Sequence, residues 1–151
     1  GEAPVQVIWQ TGKFYEREMR EFLEAHPTKN IWQGAFIERM DYAYSAADVV
    51  LSRSGACTVS ELCLVAKPTI FVPSPNVAED HQRKNAQALA DRDAAVMVLD
   101  ADCREKLAAE VKRMLEDEAL CQTMRANVLK MALCDADEKI VDAIYQILET
   151  R

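Results

Sequence analysis

The chain has 151 residues, a net charge of −7 and a composition that is half apolar and 28% charged. That length points to a single domain, with a core large enough to need no metal or disulfide staples. The apolar content excludes disorder as the main state. No apolar run approaches the ~20 residues that span a bilayer. The acidic balance argues against nucleic acid as a partner, because that requires a basic surface.

The elements alternate. Val5 to Trp9 (VQVIW) reads as a strand. Gly12 opens a helical stretch in which Phe14, Met19, Phe22 and Leu23 form an approximate apolar face before Pro27. Ile31 and Trp32 suggest a short strand, and Phe36 and Ile37 begin the next connection. Met40 to Ala47 is a short helix, Asp48 to Ser52 a strand, Cys57 to Val65 a helix, and Thr69 to Val72 a strand closed by Pro73. Glu79 to Asp91 reads as helix and Ala94 to Leu99 as strand. Beyond Asp102 everything is helical. Leu107, Val111, Met114 and Leu115 mark one apolar stripe, and Ile140, Ile144, Ile147 and Leu148 a second. Strands alternating with helices imply an α/β fold, with a parallel sheet covered by helices on both faces and a helical tail over 103–151.

Five cysteines (Cys57, Cys63, Cys103, Cys121 and Cys134) include no C-x-x-C pair. Reduced, mostly buried thiols in a cytosolic protein are expected, with no zinc or redox motif. His26 and His81 are too few for a His-rich metal site, so no metal cofactor is expected.

Ligands of open parallel sheets bind beyond the carboxyl ends of the strands. After the strand DVVLS comes Arg53-Ser54-Gly55-Ala56-Cys57-Thr58-Val59-Ser60-Glu61, a small-residue turn running into a helix. Gly55 permits close backbone approach or positive φ. The free N–H groups of such a helix start, with the helix dipole, suit a phosphate. Glu61 can accept hydrogen bonds from a vicinal diol such as a ribose. The competing explanation is structural: Thr58-x-x-Glu61 also matches a capping box. After TIFV, the loop Pro73-Ser74-Pro75-Asn76 leads to a polar helix start and then Asn85; Asp80, His81 and Gln82 can reach sugar hydroxyls, or Glu79 and Asp80 only complement the helix dipole. In Gly34 to Met40, an apolar residue at a strand end can wall a flat base, although core packing of Phe36 and Ile37 is the ordinary alternative. Gln10-Thr11-Gly12-Lys13 lacks the spacing of a P-loop.

Taken in order, VIWQTGK (Val7 to Lys13), FIERM (Phe36 to Met40), AYSAADVVLSRSGACTVSEL (Ala43 to Leu62), AKPTIFVPSP (Ala66 to Pro75) and EDHQRKNA (Glu79 to Ala86) resemble the MurG family of N-acetylglucosamine transferases. The resemblance covers nearly half the chain. It implies the C-terminal, donor-binding half of a two-domain GT-B enzyme with a Rossmann-like sheet. It further implies that Ile37 lies against the uracil of UDP-N-acetylglucosamine and Glu61 binds the ribose. Ala56, Cys57 and Thr58 would hold the diphosphate. His81 and Gln82 would contact diphosphate and sugar, and Phe36, Arg53 and Asn85 would flank the site. Family members transfer the sugar with inversion to a lipid-linked muramyl-pentapeptide in peptidoglycan synthesis, without a D-x-D metal site.

Two departures follow. The family's A-G-K-P reads Val65-Ala66-Lys67-Pro68 here, so alanine replaces glycine. The acceptor-binding half and the glycine-rich loop with its preceding strand are absent, so the chain reads as a fragment with no catalytic base of its own. Its lipid-linked acceptor and its contact with the inner face of the cell membrane would come through the missing half. The missing strand is expected to be central. Either the strand ending at Trp9 pairs directly with DVVLS or the gap is otherwise filled, and reduced stability or association between copies is expected. The alternatives are another UDP-sugar transferase of the GT-B class, a UDP-N-acetylglucosamine 2-epimerase, or a non-catalytic nucleotide-sugar binding module.

Overall fold

The computed structural model describes residues 5–149. By its internal contacts the chain divides into two compact units, residues 1–46 and 47–151. In the first unit, β1 (Val7–Gln10) pairs in parallel with β2 (Ile31–Gly34), in the register Val7 to Ile31. Between them runs α1 (Gly12–Ala25), and α2 (Met40–Ala46) follows. The strand begins two residues later than VQVIW suggests. Gly12 supplies the sharp entry to α1 with φ +73°, a conformation disfavoured for residues with a Cβ. The half-buried positions of α1 are Gly12, Glu16, Met19 and Leu23, spaced for one helix face. Phe14 is 88% exposed and Phe22 also faces out, stacked on His26 with ring centroids 4.5 Å apart. The apolar face expected from four residues is therefore carried by two. Phe14 lies five residues, or about 140°, from Met19 on a helix of 100° per residue.

The second unit holds a parallel ladder of order β3 (Val50–Ser52), β4 (Thr69–Phe71) and β5 (Val96–Met97). It also holds α3 (Ala56–Val65), α4 (His81–Ala90), α5 (Cys103–Glu116), α6 (Glu118–Leu129) and α7 (Ala136–Glu149). Every residue of β4 is buried, as expected of a central parallel strand. Ile70 and Val72 join Val98, Met114, Cys121 and Met124 in one apolar cluster, against which Leu107 and Val111 pack partly buried. Phe71, between them in sequence, points to the opposite face by the two-residue period of a strand. Leu62 of α3 and Ala86 and Leu89 of α4 are buried as well. At about 25 cal/mol per Å², a fully buried Leu, Ile, Val, Phe or Met side chain contributes about 1.5–3 kcal/mol.

Parallel strands with intervening helices are what the alternation of the sequence predicted. Several details differ. Leu115 of the expected α5 stripe is 41% exposed, and Met114 beside it carries the burial. None of α7 is buried, so Ile140, Ile144, Ile147 and Leu148 form an exposed stripe. The helix expected over Glu79–Asp91 starts only at His81. A 3-10 turn (Ala78–Asp80) precedes it, with Glu79 and Asp80 both left-handed at φ 56° and 53°. Among the described residues β1 has β2 as its one ladder partner, and β3 has β4. No helix among the described residues is long and apolar enough to cross a membrane.

Candidate functional site

β3 ends at Ser52, whose carbonyl accepts the Val72 N–H at 2.9 Å, and the chain turns directly into α3. Gly55 is the N-cap, with extended backbone at φ −63° and ψ 150° and no side-chain cap hydrogen bond. The positive φ that Gly55 would have allowed is not used. A Cβ added there would meet only Thr58 Oγ1, at 4.0 Å, so there is open space beside the helix start.

Ala56, Cys57 and Thr58 are the first three residues of α3. Their N–H groups belong to the set that has no partner within a helix. The first intrahelical bond is Val59 N–H to Gly55 O at 2.9 Å. Thr58 is thus the third helical residue and not the N-cap. The Thr58-x-x-Glu61 spacing is not a capping box, because that motif needs threonine one position before the helix. Glu61 sits one turn after Thr58 on the exposed part of α3. Three amides aligned with the helix axis favour an anion by about 0.3–2 kcal/mol per favourable charge.

A hydrogen-bonded lattice holds this turn to the loop after β4. Ser54, fully buried, donates from Oγ to Gln82 O at 2.8 Å. Asn85 Nδ2 returns a bond to Ser54 O at 3.0 Å. The Ser74 N–H is accepted by Gln82 Oε1 at 2.9 Å, which leaves Nε2 of that amide as its donor. Arg53 Nη1 reaches Val72 O at 3.1 Å, Pro73 O at 3.3 Å and Asp100 Oδ1 at 2.6 Å. One guanidinium so links the carboxyl ends of all three strands. His81 is the first residue of α4, and its Nδ1 lies 2.8 Å from Ala78 O. A carbonyl only accepts, so Nδ1 carries the proton and Nε2 is the outward nitrogen.

Of the residues singled out from sequence, the second unit therefore gathers Arg53, Gln82 and Asn85 around the turn that leads into Ala56, Cys57 and Thr58. Ser54, Ser74 and Asp100 are the parts that sequence reasoning missed. Only the small-residue run at 54–57 hinted at Ser54. The thiols also differ from expectation: Cys63 and Cys121 are buried and Cys103 partly so, but Cys57 and Cys134 are exposed. Burial pushes the Cys63 and Cys121 thiols above their ordinary range. Among the described residues no group of acidic, His and Cys side chains is arranged to hold a metal ion.

Ile37 and Phe36 belong to the first unit, in the connection from β2 to α2. Phe36 is 70% exposed and Ile37 partly buried, so core packing does not account for Phe36. The corner is built by Thr11 N–H to Gly34 O at 3.0 Å and Gly12 N–H to Ala35 O at 3.1 Å. The Ile37 N–H is accepted by Gln10 Oε1 at 2.9 Å. Next to it, Arg39 forks onto Asp41 and lies 3.9 Å above the Tyr42 ring, and the guanidinium holds the Asp41 carboxyl below the usual carboxylate range.

Comparison with known proteins places the chain in a family. Residues 1–142 match the model of the glycosyltransferase family 28 C-terminal domain. A protein of Parabacteroides distasonis is 49% identical over 148 residues, which are 97% of this chain and 40% of that protein. A protein of Porphyromonas gingivalis (strain W83) is 49% identical over 98% of this chain and 39% of its own length. Both are named UDP-N-acetylglucosamine–N-acetylmuramyl-(pentapeptide) pyrophosphoryl-undecaprenol N-acetylglucosamine transferase. The chain thus spans about two fifths of the length of the curated relatives it matches. The crystal structure of Acinetobacter baumannii MurG superposes with a TM-score of 0.82 at 31% identity, over 97% of this chain and 42% of that one. A glycosyltransferase of kitacinnamycin, 14% identical with a TM-score of 0.61, shares the fold. The chain belongs to the glycosyltransferase family 28 C-terminal domain family.

Proposed function

We propose that the chain is the donor-binding part of an inverting transferase that takes UDP-N-acetylglucosamine and passes its sugar to a lipid-linked muramyl-pentapeptide, in peptidoglycan synthesis at the inner face of the bacterial cell membrane. One observation carries the reading: the helix that follows β3 opens on Gly55 with no side-chain cap, and a Cβ there would meet only Thr58 Oγ1, at 4.0 Å. Ala56, Cys57 and Thr58 hold the diphosphate with those amides. Glu61, one turn on, accepts the ribose hydroxyls. His81, through its outward Nε2, and Gln82, through Nε2, contact diphosphate and sugar, and Asn85 and Arg53 keep the turn in place. Ile37 lies against the uracil with Phe36 beside it.

The chemistry asked of these residues is electrostatic. As the acceptor hydroxyl attacks the anomeric carbon, the bond to UDP breaks and negative charge grows on the diphosphate. Fixed amide dipoles stabilise that growing charge and need no reorganisation at the moment of reaction. No residue of this chain is assigned as the base, and the acceptor and the membrane are met by the rest of the enzyme. Association between copies of the isolated chain belongs to the same reading. Among the described residues β1 and β3 each have one ladder partner, and a strand edge without a partner templates pairing with another chain.

Calorimetric titration of the full protein with UDP-N-acetylglucosamine, UDP-glucose and UDP tests the reading. Preferential binding of the first is the expected result, and no binding of any contradicts it. Glu61→Ala is expected to weaken UDP binding by about 1–3 kcal/mol, the usual cost of removing a charged hydrogen-bond acceptor. Sedimentation showing a stable monomer at high concentration would count against association.

A further inference from the structure

Gln10 is the last residue of β1 and its side chain is exposed. Its Oε1 accepts the Ile37 N–H at 2.9 Å, across 27 residues of sequence. An N–H is satisfied only by an acceptor, so this bond fixes the orientation of the amide and turns Nε2 outward. The β1–β2 register and the Thr11 and Gly12 amides build the corner beside it, and the contact itself lies at the exposed surface. The chemistry of the contact is more telling. A primary carboxamide holds a carbonyl acceptor and an N–H donor side by side in one plane. The 4-carbonyl and ring N–H of uracil form the same pair.

We infer that Gln10 is a placeholder for the base: its carboxamide occupies the Ile37 N–H, and a uracil carbonyl must displace it. Gln10 then sets a threshold. A ligand gains at this amide only if its acceptor surpasses a carboxamide oxygen. Cytosine, with an amino donor at the equivalent position, fails outright. This inference rests on the reading of Ile37 as the residue at the base edge.

The test uses full-length wild type, Gln10→Ala, Gln10→Leu and Gln10→Glu, titrated with uridine and with UDP below the unfolding transition of each. The Ala and Leu variants are expected to bind both ligands about three- to tenfold more tightly, the equivalent of one net hydrogen bond no longer broken on binding. The Glu variant offers a stronger, charged acceptor to Ile37 and is expected to bind uridine more weakly. Uridine carries no phosphate, so repulsion from the diphosphate does not enter. Equal or weaker binding by Ala and Leu, or tighter uridine binding by Glu, overturns the placeholder role and makes Gln10 a structural tie. A wild type that binds neither uridine nor UDP overturns the donor-site reading itself, and the inference with it.

Discussion

Ser54 Oγ donates a 2.8 Å hydrogen bond to the carbonyl oxygen of Gln82, 28 residues further along the chain. Ser54 is fully buried, and its own carbonyl accepts from Asn85. The pair of bonds clamps the entry of α3 to the first turns of α4. Ser54→Ala is therefore expected to cost about 0.5–1.5 kcal/mol of folding stability, the price of a lost hydrogen bond from a fully buried hydroxyl. Asn85→Ala is expected to cost a similar amount. Because both bonds lock the same turn, the double variant should lose less than the sum of the two. Chemical denaturation of the two single variants and the double variant checks this coupling.

Gly55→Ala separates a functional from a structural reason for the glycine. Its φ of −63° suits alanine, and the new Cβ meets nothing nearer than 4.0 Å. Stability should change little, because the unfolded-state entropy gain of about 0.4–1 kcal/mol is offset by alanine's poorer fit at an N-cap. UDP affinity should fall at least tenfold, because the methyl group enters the space proposed for the diphosphate. Thermal unfolding beside calorimetry reads both. An unchanged affinity would remove the diphosphate from this turn.

Ala66 closes α3 in the left-handed region, at φ 51° and ψ 40°, with its N–H on Leu62 O at 3.1 Å. The sequence resemblance has glycine at this position, and the backbone supplies the reason. A left-handed alanine costs about 1–2 kcal/mol. Glycine recovers that, less about 0.4–1 kcal/mol of extra unfolded-state entropy. Ala66→Gly should therefore stabilise the protein by about 0.5–1 kcal/mol net, which denaturant titration resolves.

Burial holds the Cys63 and Cys121 thiols protonated above their ordinary range. In the unfolded chain they ionise near pH 8.5. Above that pH the unfolded state sheds protons that the folded state keeps, so stability falls as pH rises. Below it, the contribution is fully present. Unfolding temperatures measured from pH 7 to 10 should decline above about pH 8.5, and the combined variant Cys63→Ala, Cys121→Ala should show a shallower decline.

The sequence carried the fold class plainly, because apolar strand runs and helical stripes report periodicities that local geometry imposes. β4 is an example: Thr-Ile-Phe is apolar enough to be buried on both faces, and it is. Element edges were less legible. Glu79 and Asp80 read as helix because acidic residues favour a first turn, yet both adopt left-handed backbone. Nothing in a carboxylate side chain announces that. The stripe of α7 has helical periodicity but no burial, since period reports amphipathicity and not what covers it. At the site, the turn from Arg53 to Glu61 was visible as a strand running into small residues. Its lattice was not. The Ser54–Gln82, Ser74–Gln82 and Arg53–Asp100 bonds join residues far apart in sequence. The capping-box alternative at Thr58 and Glu61 was decided by where the helix starts, three residues earlier than that motif requires.

The most direct test of the account follows the backbone amide resonances of Ala56, Cys57 and Thr58 while UDP-N-acetylglucosamine is titrated into the protein. Large, saturable shifts at these three amides, with slowed exchange with solvent, are the predicted result. Saturable binding that leaves all three unmoved would contradict it.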